Sequence, residues 1–201
     1  MKLYDFRYAP NPRKLRVYLA EKGLSIPKVD VNLAKGEQRA PEILARNPMG
    51  GVPILELEDG TCLRESLAII EYLEELHPEP PMIGTTPLER AQVRALERAV
   101  DIGLLLGVAR VFHNTLAVLP GRTPNPEVAA AARRDLEKPA GYIDSVLADG
   151  RPFVAGARVT IADCTLFAAM EFGRTGNLGI AWPPHLAAWF ARFQERPSAD
   201  A

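Results

Sequence analysis

Apolar and polar positions follow two different rhythms along this chain, and the change falls near His77. Before it, strand-like and helix-like patterns take turns. Leu3 to Phe6 is a short apolar segment. Arg13 to Lys22 carries Leu15, Tyr18 and Leu19 at helical spacing, with Gly23 where a left-handed residue closes a helix. Lys28 to Leu33 alternates strictly, which predicts a half-buried strand with Val29, Val31 and Leu33 on one face. Pro41 to Arg46 reads as one short helix, opened by its proline and closed before Pro48. Val52 to Leu57 and Thr61 to Leu63 flank Asp59-Gly60, a strong hairpin signal. Ser66 is expected to cap a helix that turns Leu67, Ile70, Leu73 and Leu76 inward. The order is β-α-β-α-β-β-α.

Residues 78–86 hold Pro78, Pro80, Pro81 and Gly84, and Pro87 follows, so this stretch reads as a linker. The expected organisation is an α+β unit over 1–77, the linker 78–86, and an all-α unit over 87–201. Thr86-Pro87-Leu88-Glu89 is a capping box with proline at the first helical position. It opens a long helix with Leu96, Val100, Leu104, Val108 and Phe112 along one face. Asn125-Pro126 opens an alanine-rich helix that Pro139 should kink or end. Thr160 to Asp163 is a second capping box, ahead of the apolar run Cys164 to Met170. Pro184 to Glu195 closes the pattern, with Leu186, Trp189, Phe190 and Phe193 expected to be buried.

Composition narrows the functional classes. The 201 residues are 47% hydrophobic and 24% charged, enough for a packed core and against wholesale disorder. With 24 basic and 25 acidic side chains there is no basic excess to drive nucleic-acid binding. No stretch approaches a membrane span, and an acid at Asp5 comes too early for a signal peptide, so a cytoplasmic protein is expected. Cys62 and Cys164 lie far apart, and the three histidines are scattered, so neither a disulfide framework nor a metal site is expected. Cys62 falls in a strand and Cys164 in a buried helix, settings that do not suit a reactive thiol.

Two short segments carry chemistry. Asn47-Pro48-Met49-Gly50-Gly51-Val52-Pro53 places a proline at the start of a strand. It is either an ordinary edge proline or a cis one. In the cis case the Val52 backbone turns outward and an extended ligand can pair with its N–H and C=O. Ser66 heads a helix, where free N–H groups favour a carboxylate, and Glu65 beside it can pair with an ammonium. An α-amino acid head group fits both. The plainer alternative is that Ser66 is only an N-cap and Glu65 a solvated acid.

Together these segments resemble the glutathione transferase family over nearly the whole chain. The marks are Ala20-Glu21-Lys22-Gly23, Asn47-Pro48 through Val52-Pro53, Asp59-Gly60 to Leu73, and Thr160 to Asp163. The resemblance implies a thioredoxin-like unit followed by a helical one, glutathione as co-substrate, and a homodimer. It implies that Val52, with Pro53, holds the cysteinyl backbone of glutathione, and that Glu65 and Ser66 hold its γ-glutamyl end. It also implies a basic or amide group for the glycine carboxylate, for which Lys35, Gln38 and Arg39 stand in the right loop. Asp101, mid-way along the first long helix, either reaches the γ-glutamyl amine of the partner subunit or pairs within its own chain. Gly103 and Gly107 suit a dimer seam or close internal packing.

The thiolate activator departs from the family pattern. The turn reads Arg7-Tyr8-Ala9-Pro10-Asn11-Pro12-Arg13, with Ala9 where many members carry Ser or Thr. The family's tyrosine position falls near Asp5, and Tyr4 beside it should face the other side of its strand. Ala9-Pro10-Asn11 resembles the Thr-Pro-Asn turn of the bacterial Nu-type members, which makes the Asn11 amide the leading thiolate donor. Asn11 as a helix cap before Pro12 is the alternative. Tyr8 and Arg13 are secondary candidates. Tyr8, Phe112, His113 and Leu116 are expected to wall the electrophile pocket, and the loop around Trp182 either covers it or packs. Three functions remain open: transfer of the glutathione thiol to a small hydrophobic electrophile, glutathione-dependent reduction of a disulfide or peroxide, or glutathione-fold binding without catalysis.

Overall fold

The computed structural model describes residues 1–201. Its sheet has four strands in the order β2-β1-β3-β4. They are β1 (Lys2–Asp5), β2 (Lys28–Asp30), β3 (Ile54–Glu56) and β4 (Cys62–Arg64). β1 runs parallel to β2 and antiparallel to β3, with Tyr4 opposite Val29 and Leu3 opposite Leu55. Alternation sends Leu3 and Leu55 to one face and Tyr4 and Ile54 to the other. The first face is covered by α1 (Pro10–Glu21) and α3 (Ser66–Leu76), and the second packs on Ile43 of α2 (Pro41–Arg46).

Several expectations change at this level. The strand after Lys28 ends at Asp30, and Val29 is exposed. Leu33 belongs instead to a 3₁₀ turn, Leu33–Lys35, started by the Asn32 side chain accepting the Lys35 N–H at 3.1 Å. A second turn, Glu37–Arg39, follows Gly36. The N-cap of α3 is Glu65, and Ser66 is the first helical residue. Ile69 is buried in that helix and Leu76 is half exposed. α1 closes as read: Gly23 has φ +67°, and Leu24 N–H reaches the Leu19 carbonyl at 2.8 Å.

The remaining helices are α4 (Pro87–Val100), α5 (Leu106–Thr115), α6 (Pro126–Asp135), α7 (Glu137–Leu147), α8 (Ile161–Thr175) and α9 (Pro184–Gln194). The predicted long helix is thus two helices joined without a break by a π-helical turn, Asp101–Leu105. Thr86 caps α4 by accepting the Glu89 N–H at 3.1 Å, but the Glu89 carboxylate reaches Thr85 rather than closing the box on Thr86. The helix after Asn125 ends at Asp135, before Pro139, which sits in the first turn of α7 where its missing N–H costs nothing. The Thr160–Asp163 box is complete. α8 is buried from Ile161 to Gly173 and is the hub of the helical layer. Trp189 and Phe193 of α9 are buried on it, while Phe190 stays partly accessible. One continuous core of 38 buried residues runs from Leu3 and Leu55 of the sheet to Trp189. No helix is long and apolar enough to cross a membrane.

Candidate active site

Between the sheet layer and the helices lies a cleft of about 530 Å³. One wall is the turn from Phe6 to Pro12 together with Leu33, Ala34, Gly51 and Val52. The other is built by Leu105, Leu106 and Ala109, by Phe112, His113 and Leu116, and by Phe172 of α8. Tyr8, Asn11, Val52, Phe112, His113 and Leu116, all singled out from the sequence, meet on this one surface. No local pattern marks Phe6, Leu33, Leu105 or Phe172 as site residues. They come from four separate elements, and only the packing brings them together.

Val52 stands at the cleft with its peptide groups free. Neither its N–H nor its C=O bonds to anything in the chain. The bond to Pro53 is cis. Asn47 fixes the loop from behind by donating its amide to the Gly51 carbonyl at 2.8 Å. Gly50, at φ +63°, has the Gln38 carbonyl close enough that a Cβ would sit 3.2 Å from it. The Gln38 segment is therefore packed beside the Val52 turn. Gln38 buries its Oε1 without a partner, while Lys35 and Arg39 point into solvent unpaired.

At the start of α3, no side chain caps the first-turn N–H groups. Glu65 holds φ +66°, rare for a residue with a Cβ, and its exposed carboxylate makes no ion pair. The Ser66 hydroxyl donates to Asn11 Oδ1 at 3.3 Å. That bond ties the head of α3 to the first turn of α1. Asn11 is a helical residue one position past Pro10, and Ala9 is the N-cap, so the capping role for Asn11 does not hold. Its amide oxygen is engaged by Ser66, which leaves its N–H₂ to donate at the cleft.

Other expected site residues are turned elsewhere. Arg13 donates to the Ala199 carbonyl at 3.3 Å and does not line the cleft. Burial, then neighbouring Arg16, lowers its pKa. Tyr4 faces away and donates to Glu56 at 2.7 Å. Asp101 is paired inside the chain, with Lys14 at 3.1 Å and Arg98 at 2.7 Å. Gly103 and Gly107 make room for Pro139 and Leu136, which added Cβ atoms would meet at 2.6 and 2.5 Å, so their close packing is internal. Trp182 lies on a separate hollow with Arg133 and Glu137. Tyr8 is 69% exposed at the cleft mouth, edge-on to Phe6. His113 is half-buried, and burial, then the charge of Arg122, pushes its imidazole below the usual histidine value.

Comparison with known proteins reaches over nearly the whole chain. Residues 3–81 match the family "Glutathione S-transferase, N-terminal domain", and residues 108–197 match "Glutathione S-transferase, C-terminal domain". Glutathione S-transferase 2 of Saccharomyces cerevisiae is 37% identical over 207 residues, covering 98% of this chain and 87% of its own. Maleylacetoacetate isomerase of Pseudomonas aeruginosa is 43% identical over 102 residues, covering 50% of this chain and 48% of its own. The crystal structure of Gtt2 from Saccharomyces cerevisiae superposes with TM-score 0.90 at 36% identity, over 100% of this chain and 99% of that one. A Methylobacterium radiotolerans glutathione S-transferase, solved in complex with glutathione sulfonate, superposes with TM-score 0.82 at 28% identity, over 99% of this chain and 92% of that one. Two domain matches in the order read from the sequence, and a full-length relative at this identity, leave one assignment: the chain belongs to the glutathione S-transferase family.

Proposed function

We propose that the protein transfers the glutathione thiol to a small hydrophobic electrophile. The observation that carries this reading is the free peptide edge of Val52 on the wall of a largely apolar cleft. Glutathione, as co-substrate, lies extended along that edge, its cysteinyl N–H and C=O pairing with Val52. Its γ-glutamyl carboxylate takes the free N–H groups at the head of α3, and its ammonium takes Glu65. Gln38, the one of the three loop candidates packed beside the Val52 turn, takes the glycine carboxylate, with Lys35 and Arg39 in range from solvent. The sulfur then lies at Asn11, whose amide N–H donates to the thiolate, helped by the positive end of α1. The thiolate attacks the electrophilic carbon, a C–S bond forms, and the leaving group departs with its electron pair.

The protein works in the cytoplasm as a homodimer. Exposed Ile102, Leu106 and Tyr142 share a groove of about 520 Å³ on the outer face of α5 and α7, which supports a seam there. Because Asp101 is satisfied within its own chain, it is not needed across that seam. A second reading, glutathione-dependent isomerisation, is favoured by the half-chain match to the Pseudomonas enzyme.

The test follows the absorbance of the bound glutathione thiolate against pH. The thiol should titrate clearly below free glutathione. In Asn11→Ala, its pKa should rise by about 1 with affinity kept, because one charge-assisted hydrogen bond is lost. Binding without a lowered pKa would favour the reductase or non-catalytic reading, and no binding would overturn all four readings, isomerisation included.

A further inference from the structure

The first turn of α1, Pro10 to Arg13, presents Asn11 to the cleft, and few bonds hold it there. Pro10 and Pro12 bring no N–H, and no side chain caps the helix. Only Asn11 and Arg13 of this turn make side-chain hydrogen bonds, Asn11 with Ser66 of α3 and Arg13 with the Ala199 carbonyl. Arg13 is half-buried, and that carbonyl is its one side-chain partner. The charges that act on it through space are those of Arg16, Glu171, Arg7 and Arg174. Arg16 has a different task. It donates to Asp5 at 2.6 Å and to the Arg7 carbonyl at 2.7 Å, which fixes the loop ahead of the helix rather than the helix start.

The Ala199 carbonyl is itself held firmly. Ala199 is buried in a 3₁₀ turn, Pro197–Asp200, and its N–H closes on the Arg196 carbonyl at 3.0 Å. Arg196 gives Nε and Nη2 to the two oxygens of Glu21 at 2.8 Å each, and Ser198 gives its hydroxyl to the same carboxylate at 2.5 Å. The Arg196 guanidinium also lies over the rings of Phe153 and Phe193, at 5.2 and 5.7 Å. This turn is thus anchored at the last residue of α1 and is gripped again from Arg13, ~12 Å back along the helix axis.

Resting on the transferase reading, we propose that the Pro197–Asp200 turn, through Arg13, sets the position of the first turn of α1 and with it the aim of the Asn11 amide at the glutathione thiolate. Arg13 does not line the cleft, so it is a positioning residue. Ser66 restrains the turn at Asn11, and Ala199 restrains it two residues on. Hydrogen bonds weaken steeply with misalignment, so a small tilt of α1 costs the thiolate its donor. The anchors for the rest of glutathione, at Val52 and the head of α3, are left in place.

Two single variants and their double test this. Arg13→Met removes the cation and its bond. Ala199→Pro keeps the cation but breaks the 3₁₀ turn, because proline lacks the closing N–H and drives Ser198 out of helical backbone. Nitrogen-15 NMR of the Asn11 side-chain amide, assigned by its loss in Asn11→Ala, follows the turn in the free protein. Thiolate absorbance against pH follows it with glutathione bound. Each single variant should move the amide signal alike and raise the thiol pKa by about 0.5. Below that pKa, kcat with chlorodinitrobenzene should fall about threefold, with KM for glutathione kept. The double variant should do no more than either alone.

A change in only one single variant, additive changes in the double, or no change at all would overturn the proposal. In particular, a thiol shift in Arg13→Met alone would mean that its charge acts on the sulfur directly. If the parent fails to lower the thiol pKa but the amide moves alike in all three variants, the transferase reading falls and the placement of the turn stands. If Ala199→Pro does not fold, Arg196→Met with Ser198→Ala frees the 3₁₀ turn from Glu21 and takes its place in the comparison.

Discussion

Glu65 keeps a backbone conformation that glycine would hold at less cost. Its φ of +66° burdens a residue with a Cβ by about 1–3 kcal/mol. Such strain persists where the surroundings or the function require that side chain. Glu65→Gly separates the two effects. The variant should be no less stable than the parent in urea, yet bind glutathione about tenfold more weakly, because an ionic hydrogen bond to the ammonium is lost. Unchanged affinity would remove Glu65 from the site. At this scale the sequence showed the residue types but not their relations. Ser66 and Asn11 could each be named as a cap, since serine and asparagine favour caps. Their actual bond joins positions 55 apart, and no local pattern encodes that. Val52 was legible because a proline at a strand start constrains its neighbour whatever the tertiary context.

Helices were easier to read than strands, and caps easier than interiors. Capping chemistry is local, so the Thr160–Asp163 box and the Gly23 ending appear in the sequence much as they do in the structure. β2 was overread because alternation continued past Asp30, while the Asn32 side chain and Gly36 turned the chain into 3₁₀ geometry. The π-helical turn did leave a trace. Leu96, Val100, Leu104, Val108 and Phe112 recur every four residues. In a regular helix, with ~3.6 residues per turn, that spacing drifts off the core face. A wider turn keeps it in phase, and Val100, Leu104 and Val108 are all fully buried.

The capping box at α8 also sets a pH response. Asp163 accepts from the Val154 N–H at 2.8 Å and from the Thr160 N–H and hydroxyl at 2.9 Å each. Burial nonetheless pushes its carboxyl up to about 6, from an ordinary value of 3.8. Between these values the folded chain holds more protons at this site than the unfolded one, so its contribution to stability falls as pH rises through that window. Urea denaturation of the parent and Asp163→Asn should therefore show the parent losing ground to the variant from about pH 4 to about pH 6, then a constant difference. A constant difference throughout would mean that Asp163 is ionised across the range.

The two parts of the molecule are joined by buried charge as well as by the shared core. Lys14 of α1, 1% exposed, meets the fully buried Glu97 of α4 at 3.2 Å, and Thr165 of α8 donates to the same carboxylate at 3.0 Å. Lys22 meets Glu74 at 2.6 Å and donates to the His77 and Pro80 carbonyls, clamping the linker against α1. Composition marked 78–86 as a linker but could not show that it is held. Lys14→Met leaves the buried Glu97 with only the distant Arg98 guanidinium, 3.9 Å away, and should cost about 3–5 kcal/mol. Because the core is continuous, fluorescence and circular dichroism should still report one coincident urea transition. Two separated transitions would show that the sheet part and the helical part stand independently.

The π-helical turn at Asp101–Leu105 makes the identity of the cleft wall depend on chain length rather than on residue type. Loss of a single residue there would let the turn close to regular winding and leave both flanks facing as they do, whereas loss of one residue from α4 ahead of it would rotate everything after it by ~100° against everything before it. In the second case Ala109, Phe112 and His113 would leave the cleft, and side chains now packed in the core would replace them. Two relatives whose helices differ by one position in α4 would then offer their substrates different surfaces, while two that differ by one position at the turn would not. In this family, a one-residue gap at the middle of this helix should be given less weight than the same gap within α4.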